Sequence, residues 1–540
     1  MRVKLPRRHF IALSGTALLG AALRAQSENA PESFDVCVYG ATASGIAAAI
    51  SVAEQGFSVV VIEPSRWLGG MSGGGLHRID WGTKASVGGL ALKLLIDDDN
   101  VAMRKLYTKL CSEKNIKVIY EHRLNKVVKE NTRIRSISLD FAPPDAMGVP
   151  AAQPKQVEAR RITARVFIDC SYEGDLMAQA GVSHTYGRES KDTYDESYAG
   201  ERPALVTYAI DPYNTPGKPS SGLLPLLQDY QPKGPGKADK LTMAYCFRWK
   251  LSRQPDRIAF GSPENYDPRQ YEIFRRAFKN NIKINVGLKM RKPGILEDYP
   301  GGGIFNENSS RSLWAQSVAG SNQDYPTGDW ATRSKIWKFH QDFIRGMVHF
   351  LRTDEAVPEI YKKLANETGL TPGIFDETAG WPHQLYVREA RRMQSTYVIT
   401  QKDLEGRVGS ITDSIGLASY GIDDWPYATY ADQGKISIGG GEFSILKPNP
   451  DFDGVYALPY RSIVPKVEEC TNLLVPVCCS ASHIAMTSIR MEPVWIILGQ
   501  SAGQAAAQAL REKVPVQNIS VNDLQKTLVA QEQKITWSGK

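Results

Sequence analysis

The chain has 540 residues, 42% hydrophobic and 23% charged, a globular balance that excludes a disordered chain and a length beyond what one core usually holds, so two domains are expected. Five of its 65 Lys and Arg (Arg2, Lys4, Arg7, Arg8, Arg24) lie in residues 1–25 with no acid beside them, leaving 60 basic against 58 acidic residues in the remainder. The net charge of +7 is therefore mostly a property of the N-terminus, no Lys- and Arg-rich run interleaved with aromatics follows it, and a nucleic-acid partner is not indicated.

Residues 1–25 read as an export signal: a basic flank, an apolar stretch from Phe10 to Ala22 too short to span a membrane, and small residues up to Ala25. Arg7-Arg8-x-Phe10 is similar to a twin-arginine signal, which serves proteins exported already folded, so a periplasmic or secreted location without a stable membrane span is expected. A general secretory signal with incidental paired arginines is the alternative. Seven cysteines show no metal-ligand spacing, and neither a metal nor a disulfide is predicted.

From Phe34 onward, Asp35-Val36-Cys37-Val38-Tyr39 is predicted as a buried parallel strand, followed by the turn Gly40-Ala41-Thr42-Ala43-Ser44-Gly45 and an alanine-rich helix ended by Gly56. Val59 to Ile62 forms a second strand that stops at Glu63, completing a strand-helix-strand unit. The glycine-rich run Leu68 to Leu76 is predicted as a loop whose backbone approaches a ligand. A helix is expected over 101–114. Strands are expected at Ile116 to Tyr120, Arg123 to Val128, Ile134 to Asp140, Gln156 to Arg161 and, separately, Val166 to Asp169. Between about 190 and 400 the periodicity weakens and Tyr, Trp, Pro and Asn increase, with helices predicted at Ser334 to Arg352 and Gln384 to Gln401. Leu473 to Val477 and Val494 to Leu510 read as the sheet's last strand and helix.

The turn is a phosphate cradle in principle, because a backbone without side chains lets a pyrophosphate reach the N–H groups of a helix start. Its middle glycine is replaced by Thr42, so it is G-x-T-x-x-G. Glu63, at the end of the second strand, is placed to accept hydrogen bonds from ribose hydroxyls. An ordinary α/β turn with a solvated glutamate is the alternative.

Gly40 to Glu63, Gly69 to Gly74, Phe167 to Leu176, Val182 to Ser190, Tyr245 to Arg248, Trp381 to Met393 and Ser480 to Trp495 together resemble the bacterial FAD-dependent oxidoreductase family that carries a Gly-Gly-Met motif. The resemblance implies an α/β, Rossmann-type FAD-binding domain of the GR2 flavoprotein kind with an inserted α+β substrate or cap domain: a first FAD-binding part over 33–190, the cap over 191–405, and a C-terminal part completing the FAD-binding domain over 406–525. By position, Gly40, Thr42, Ala43, Ser44 and Gly45 would hold the pyrophosphate, and Glu63 with Pro64 the adenosine ribose. Gly69, Gly70, Met71, Ser72 and Gly74 would pass close to pyrophosphate and flavin, and Leu124 would present backbone to adenine. Asp169 joins this set. Gly499, Ala502 and Gly503 would open the closing helix, with N–H groups aimed at the ribityl chain or the flavin pyrimidine carbonyl, where reduced flavin gathers negative charge.

For chemistry, His483 is expected as a base, a neutral imidazole taking a hydroxyl proton while hydride leaves for flavin N5; a structural histidine capping its turn is the alternative. Arg388, Arg391 and Arg392 are expected on one helix, with Arg388 and Arg392 on the same face, binding a carboxylate or the flavin or making a domain contact with Glu389 or Glu492. Arg490, beside Glu492, carries the same alternatives. His77 is a solvent-facing loop residue or a flavin contact, including a covalent one. Where the family often reads Asp-Ser-His, this chain has Asp423-Asp424-Trp425, and Trp425 is a candidate flat wall for a sugar. The expected function is an exported FAD enzyme oxidising a CH–OH group of a sugar or related small molecule, with an unknown electron acceptor. A catalytically degenerate, exported carbohydrate-binding protein on the same fold and a flavin enzyme acting on a non-sugar substrate are the alternatives.

Overall fold

The structure, a computed structural model, describes residues 31–76, 78–97, 99–282, 303–305, 313, 317–406, 411–441, 443–444 and 453–539. The export signal and His77 lie outside the described residues. Its centre is a seven-stranded sheet. Strands β1 (Glu32–Tyr39), β2 (Val59–Glu63), β3 (Lys117–Tyr120), β4 (His122–Glu130), β5 (Arg133–Phe141) and β6 (Gln156–Asp169) run in the order β3-β2-β1-β6-β5-β4, and β7 (Leu473–Leu474) pairs with β6. The pairs β3/β2, β2/β1, β1/β6 and β6/β7 are parallel, the Rossmann-type arrangement expected from the two apolar runs. Val36 to Tyr39 and Val60 to Ile62 are at most 1% exposed, which is why they read as continuous apolar runs instead of alternating ones.

Two expected strands prove to be one. The 14-residue β6 pairs antiparallel with β5 through its first half and parallel with β1 through its second, so a single strand carries the chain from the hairpin into the parallel core. Gly70–Gly74, expected as a loop, forms the short helix α2; its entry is permitted by Gly69 at φ +99° and Gly70 at φ +52°.

Helix α1 (Ala43–Glu54) follows β1, and α3 (Asn100–Glu113) packs on α2. The C-terminal helices α5 (His483–Ile489) and α6 (Glu492–Glu512) complete the core, and α6 lies directly on α1. A Cβ at Gly499 would sit 2.2 Å from the Ser44 carbonyl oxygen, and one at Gly503 2.4 Å from that of Ala48. These glycines let two helix backbones approach. They are mid-helix, where the N–H groups are used by the helix itself, so the expectation that Gly499, Ala502 and Gly503 open a helix toward the cofactor is corrected.

The middle of the chain adds the 24-residue helix α4 (Trp330–Thr353) and small antiparallel sheets. The hairpin Ala428–Asp432 with Lys435–Gly439 extends Ala204–Tyr208. The helix expected over Gln384 to Gln401 is absent: the backbone there is extended, and its N–H groups go to distant elements. Gln384 N donates to Gly74 O (3.0 Å), Tyr386 N to Cys246 O (2.8 Å) and Met393 N to Cys478 O (2.9 Å). Tertiary hydrogen bonds override helix propensity across this segment. Among the described residues no helix is long and apolar enough to cross a membrane.

Candidate active site

The end of β1, the start of α1 and the end of β2 meet around a half-open cleft lined by Gly40, Thr42, Glu63, Pro64, Gly70 and Tyr172 among others. Gly40 turns the chain at φ +94°, and a Cβ there would meet Ser171 N at 2.7 Å. Thr42, which replaces the motif's middle glycine, is the N-cap of α1: its Oγ1 accepts from Gly45 N (3.3 Å) and donates to Cys170 O (2.9 Å). The substitution therefore keeps the turn and leaves the first-turn N–H groups of Ala43 and Ser44 free of intrahelical acceptors. Glu63 is fixed by Ala41 N and Ser65 N, each at 2.8 Å, and burial raises its carboxyl above the usual range.

Gly69 N donates to Ala41 O (2.7 Å), and Met71 N donates to Tyr172 Oη (2.9 Å), so α2 forms the cleft's second wall. Ser72 Oγ donates to Gly69 O at 2.8 Å, closing that turn. Gly74 stands at the far end of α2 against Gln384, where a Cβ would come within 2.8 Å of Gln384 Cβ. Two expected residues lie behind the cleft. Leu124 N donates to Tyr39 Oη (3.1 Å), so the backbone donor expected for adenine supports a lining tyrosine. Asp169 is fully buried, accepts from Ser171 N, Ser171 Oγ and Met177 N, and is pushed up by burial to about 6; it shapes the turn after β6.

A second concentration of charge lies beneath the extended 381–393 segment. His483, 1% exposed, directs Nδ1 to Glu389 Oε2 (2.8 Å) and Nε2 to Asp424 Oδ1 (3.3 Å) and Tyr427 Oη (2.5 Å). Tyr427 in turn donates to Asp424. Burial opposes charge on the ring, but the two carboxylates outweigh it and hold the imidazole at about 10. A ring held as imidazolium has no lone pair for a hydroxyl proton, so the expectation of His483 as a neutral base is corrected. The network continues through Arg392, which donates to Glu389 Oε2 (3.2 Å), Glu189 Oε1 (2.5 Å), Gly187 O and Ala481 O. Arg391 goes elsewhere, to Asp175 Oδ1 (2.8 Å) and Glu173 O.

Arg388 does not share a helix face with Arg392. It is fully buried, donates to Ala244 O and to Cys246 Sγ (3.3 Å), and lies 3.7 Å from the centre of the Trp425 ring. Trp425 is itself 1% exposed, with Nε1 donating to Asp423 Oδ2 (3.0 Å), so its face is covered by a guanidinium and does not form a sugar wall. Arg490 donates to Tyr386 Oη (2.9 Å), Asp423 O (2.8 Å) and Asp423 Oδ2 (2.7 Å).

Sequence inspection passed over Asp80. It is half-buried, just past α2, and within the fields of Arg248, Asp423 and Arg490; burial raises its carboxyl above the ordinary range. A carboxylate closely following a glycine-rich, ligand-approaching segment was the available signal. Arg248, Arg388 and Arg490 all surround the Tyr386 ring, at 6.0, 4.7 and 5.8 Å from its centre.

Solved structures similar to parts of the chain include the OxyS anhydrotetracycline hydroxylase from Streptomyces rimosus (13% identity, 29% of this chain and 36% of that one, TM-score 0.20), the THI4 protein of Thermovibrio ammonificans (15%, 34% and 76%, 0.21) and the T. acidophilum thioredoxin reductase (18%, 31% and 39%, 0.17). A sequence search of curated proteins returns no match. The family model described as "FAD dependent oxidoreductase" matches residues 35–528, nearly the whole described chain, and its cofactor suits a cleft with a glycine cradle, a capped helix start and a fixed glutamate. The chain belongs to the FAD-dependent oxidoreductases.

Proposed function

We propose that this protein is exported and oxidises a CH–OH group of a sugar or related small polar molecule, with Asp80 as the proton acceptor. The observation that carries the proposal is Asp80, the half-buried acid that follows α2 and lies within the fields of Arg248 and Arg490. Gly40, Thr42 and the start of α1 would hold the pyrophosphate, Glu63 the ribose, and α2 the passage toward the flavin. Bound FAD supplies the two-electron acceptor. Asp80 then has the task of receiving the hydroxyl proton as the C–O bond becomes a carbonyl. A carboxyl whose affinity for a proton is raised by burial suits it better than an ordinary surface aspartate. The His483 network keeps a constant charge near neutral pH and supports the surrounding segments without exchanging a proton. Export rests on the Arg7-Arg8 signal, and the organisation into 33–190, 191–405 and 406–525 belongs to the same proposal, with the hairpin 428–439 on the side of the middle region.

The test is anaerobic bleaching of the flavin in mature protein by a panel of sugars, polyols and hydroxy acids. Asp80→Asn is expected to keep its FAD and slow flavin reduction by about 10²–10⁴-fold; reduction at the wild-type rate dismisses Asp80. A protein that takes up no FAD sinks the oxidation outright, and retention in the cytoplasm of a native host sinks export.

A further inference from the structure

Deeply buried arginines in this chain have acceptors: carboxylates for Arg188 (Asp239), Arg333 (Asp175), Arg392 (Glu189) and Arg490 (Asp423), and backbone carbonyls for Arg123 (Ala151) and Arg388 (Ala244). Arg248 departs from that pattern. It is 7% exposed, and among the described residues its side chain makes no hydrogen bond and no ion pair; Nε is buried without a partner. Its neighbours are the Tyr386 ring at 6.0 Å, Asp80, whose charge it feels without forming a pair, and the further positive charges of Arg388 and Arg490. Arg490 also keeps a buried Nε without a partner. A buried guanidinium N–H left without an acceptor is costly. A fold that gives each of its other deeply buried arginines an acceptor and leaves this one without holds it for a ligand.

The position says which part of a ligand. The Arg248 carbonyl lies 3.3 Å from where a Gly75 Cβ would be, so the residue is anchored at the exit of α2, on the Asp80 side. Resting on the oxidation proposed above, we infer that Arg248 anchors a carboxylate of the substrate, so that the substrate is a hydroxy acid, its carboxylate on Arg248 and its hydroxyl toward Asp80. A planar guanidinium fork matches a carboxylate with two parallel hydrogen bonds, which a neutral sugar cannot provide. Asp80 disfavours an anion at its own position, so the two ends of the ligand are sorted by charge.

The experiment titrates oxidised, FAD-loaded mature protein calorimetrically with three carboxylates, each against a neutral counterpart: D-gluconate and D-glucuronate against D-glucose, and D-lactate against 1,2-propanediol. At least one carboxylate is expected to bind tenfold or more tightly than its counterpart. Arg248→Met is expected to weaken that carboxylate by about 10–100-fold and leave the neutral compound and the flavin midpoint potential unchanged. Arg248→Lys, which keeps the charge and loses the fork, is expected to fall between them and serves should the methionine variant not fold. Equal binding within all three pairs overturns the inference. So does an Arg248→Met protein that binds the carboxylate as before while its flavin potential shifts, because that assigns Arg248 to the cofactor. Failure of the oxidation is separable: Arg248-dependent carboxylate binding without flavin bleaching by any hydroxy compound removes the reaction and keeps the anchor, whereas bleaching by neutral sugars with no carboxylate preference does the reverse.

Discussion

The cleft beside α1 and the ionic network around His483 are both largely buried, yet they are built by different means. The cleft is made of backbone: Gly40 and Gly70 in left-handed conformations, a threonine cap, and one glutamate held by two amides. Its glycine turn, capped helix start, glutamate and α2 entry lie within some 30 residues of sequence, with Tyr172 and other lining residues brought in from farther along the chain. The network is made of side chains drawn from distant places, with Glu189, Glu389, Asp424 and His483 converging on one another across segments that share no sheet. A region built from backbone tolerates a change of side chain if the turn survives, as Thr42 shows. A region built from paired charges fails when one partner is removed, because the others stay buried and uncompensated.

The largest test of that contrast is His483→Ala, expected to cost about 3–5 kcal/mol by leaving Glu389 and Asp424 without their shared cation, measured by denaturant unfolding of apo- and holoprotein. Both forms should lose the same amount; a loss confined to the holoprotein would return His483 to the cofactor site. The same residue sets a pH dependence. Its folded value of about 10 stands above the ordinary 6.5, so its contribution is complete below pH 6.5 and disappears as pH rises through about 10. The wild-type unfolding midpoint should therefore fall over that window, and the alanine variant should fall less.

Gly45→Ala comes next. Its Cβ would lie 2.0 Å from the Gly40 carbonyl oxygen, a backbone atom that cannot move without opening the turn. A loss of about 3 kcal/mol is expected, together with FAD content below roughly a tenth of wild type in the absorbance spectrum. Normal flavin content would mean that the turn does not carry the pyrophosphate. The smallest effect belongs to Glu492. Burial pushes its carboxyl up to about 8, and it accepts from Tyr172 Oη at 3.1 Å. With the folded value raised, its contribution is complete below about 4.5 and is lost as pH rises to about 8, so Glu492→Gln should raise the Tm by a few degrees above pH 8 and change little near pH 5.

Much of the cleft was legible because its signals are local. A short apolar run, a glycine turn, a helix and a glutamate at fixed spacing read as strand, cradle, helix and ribose partner wherever the rest of the chain goes. What misled was local propensity set against long-range partners. The Gln384 to Gln401 segment looks helical, but its amides pair with Gly74, Cys246 and Cys478, which no window of sequence contains. Gly499 and Gly503 look like a ligand loop because glycine marks close approach; what approaches is helix α1.

By itself, the amino-acid sequence determined the parallel core, the phosphate cradle and the resemblance to FAD-dependent oxidoreductases, because hydrophobic period, turn chemistry and motif spacing are properties of neighbouring residues. Only the tertiary structure decided the charge state of His483, the covering of Trp425 by Arg388, the prominence of Asp80 and the isolation of Arg248. Each of these depends on which charges and rings lie within a few ångströms in a medium that water does not reach, and such neighbourhoods are assembled from residues up to several hundred positions apart.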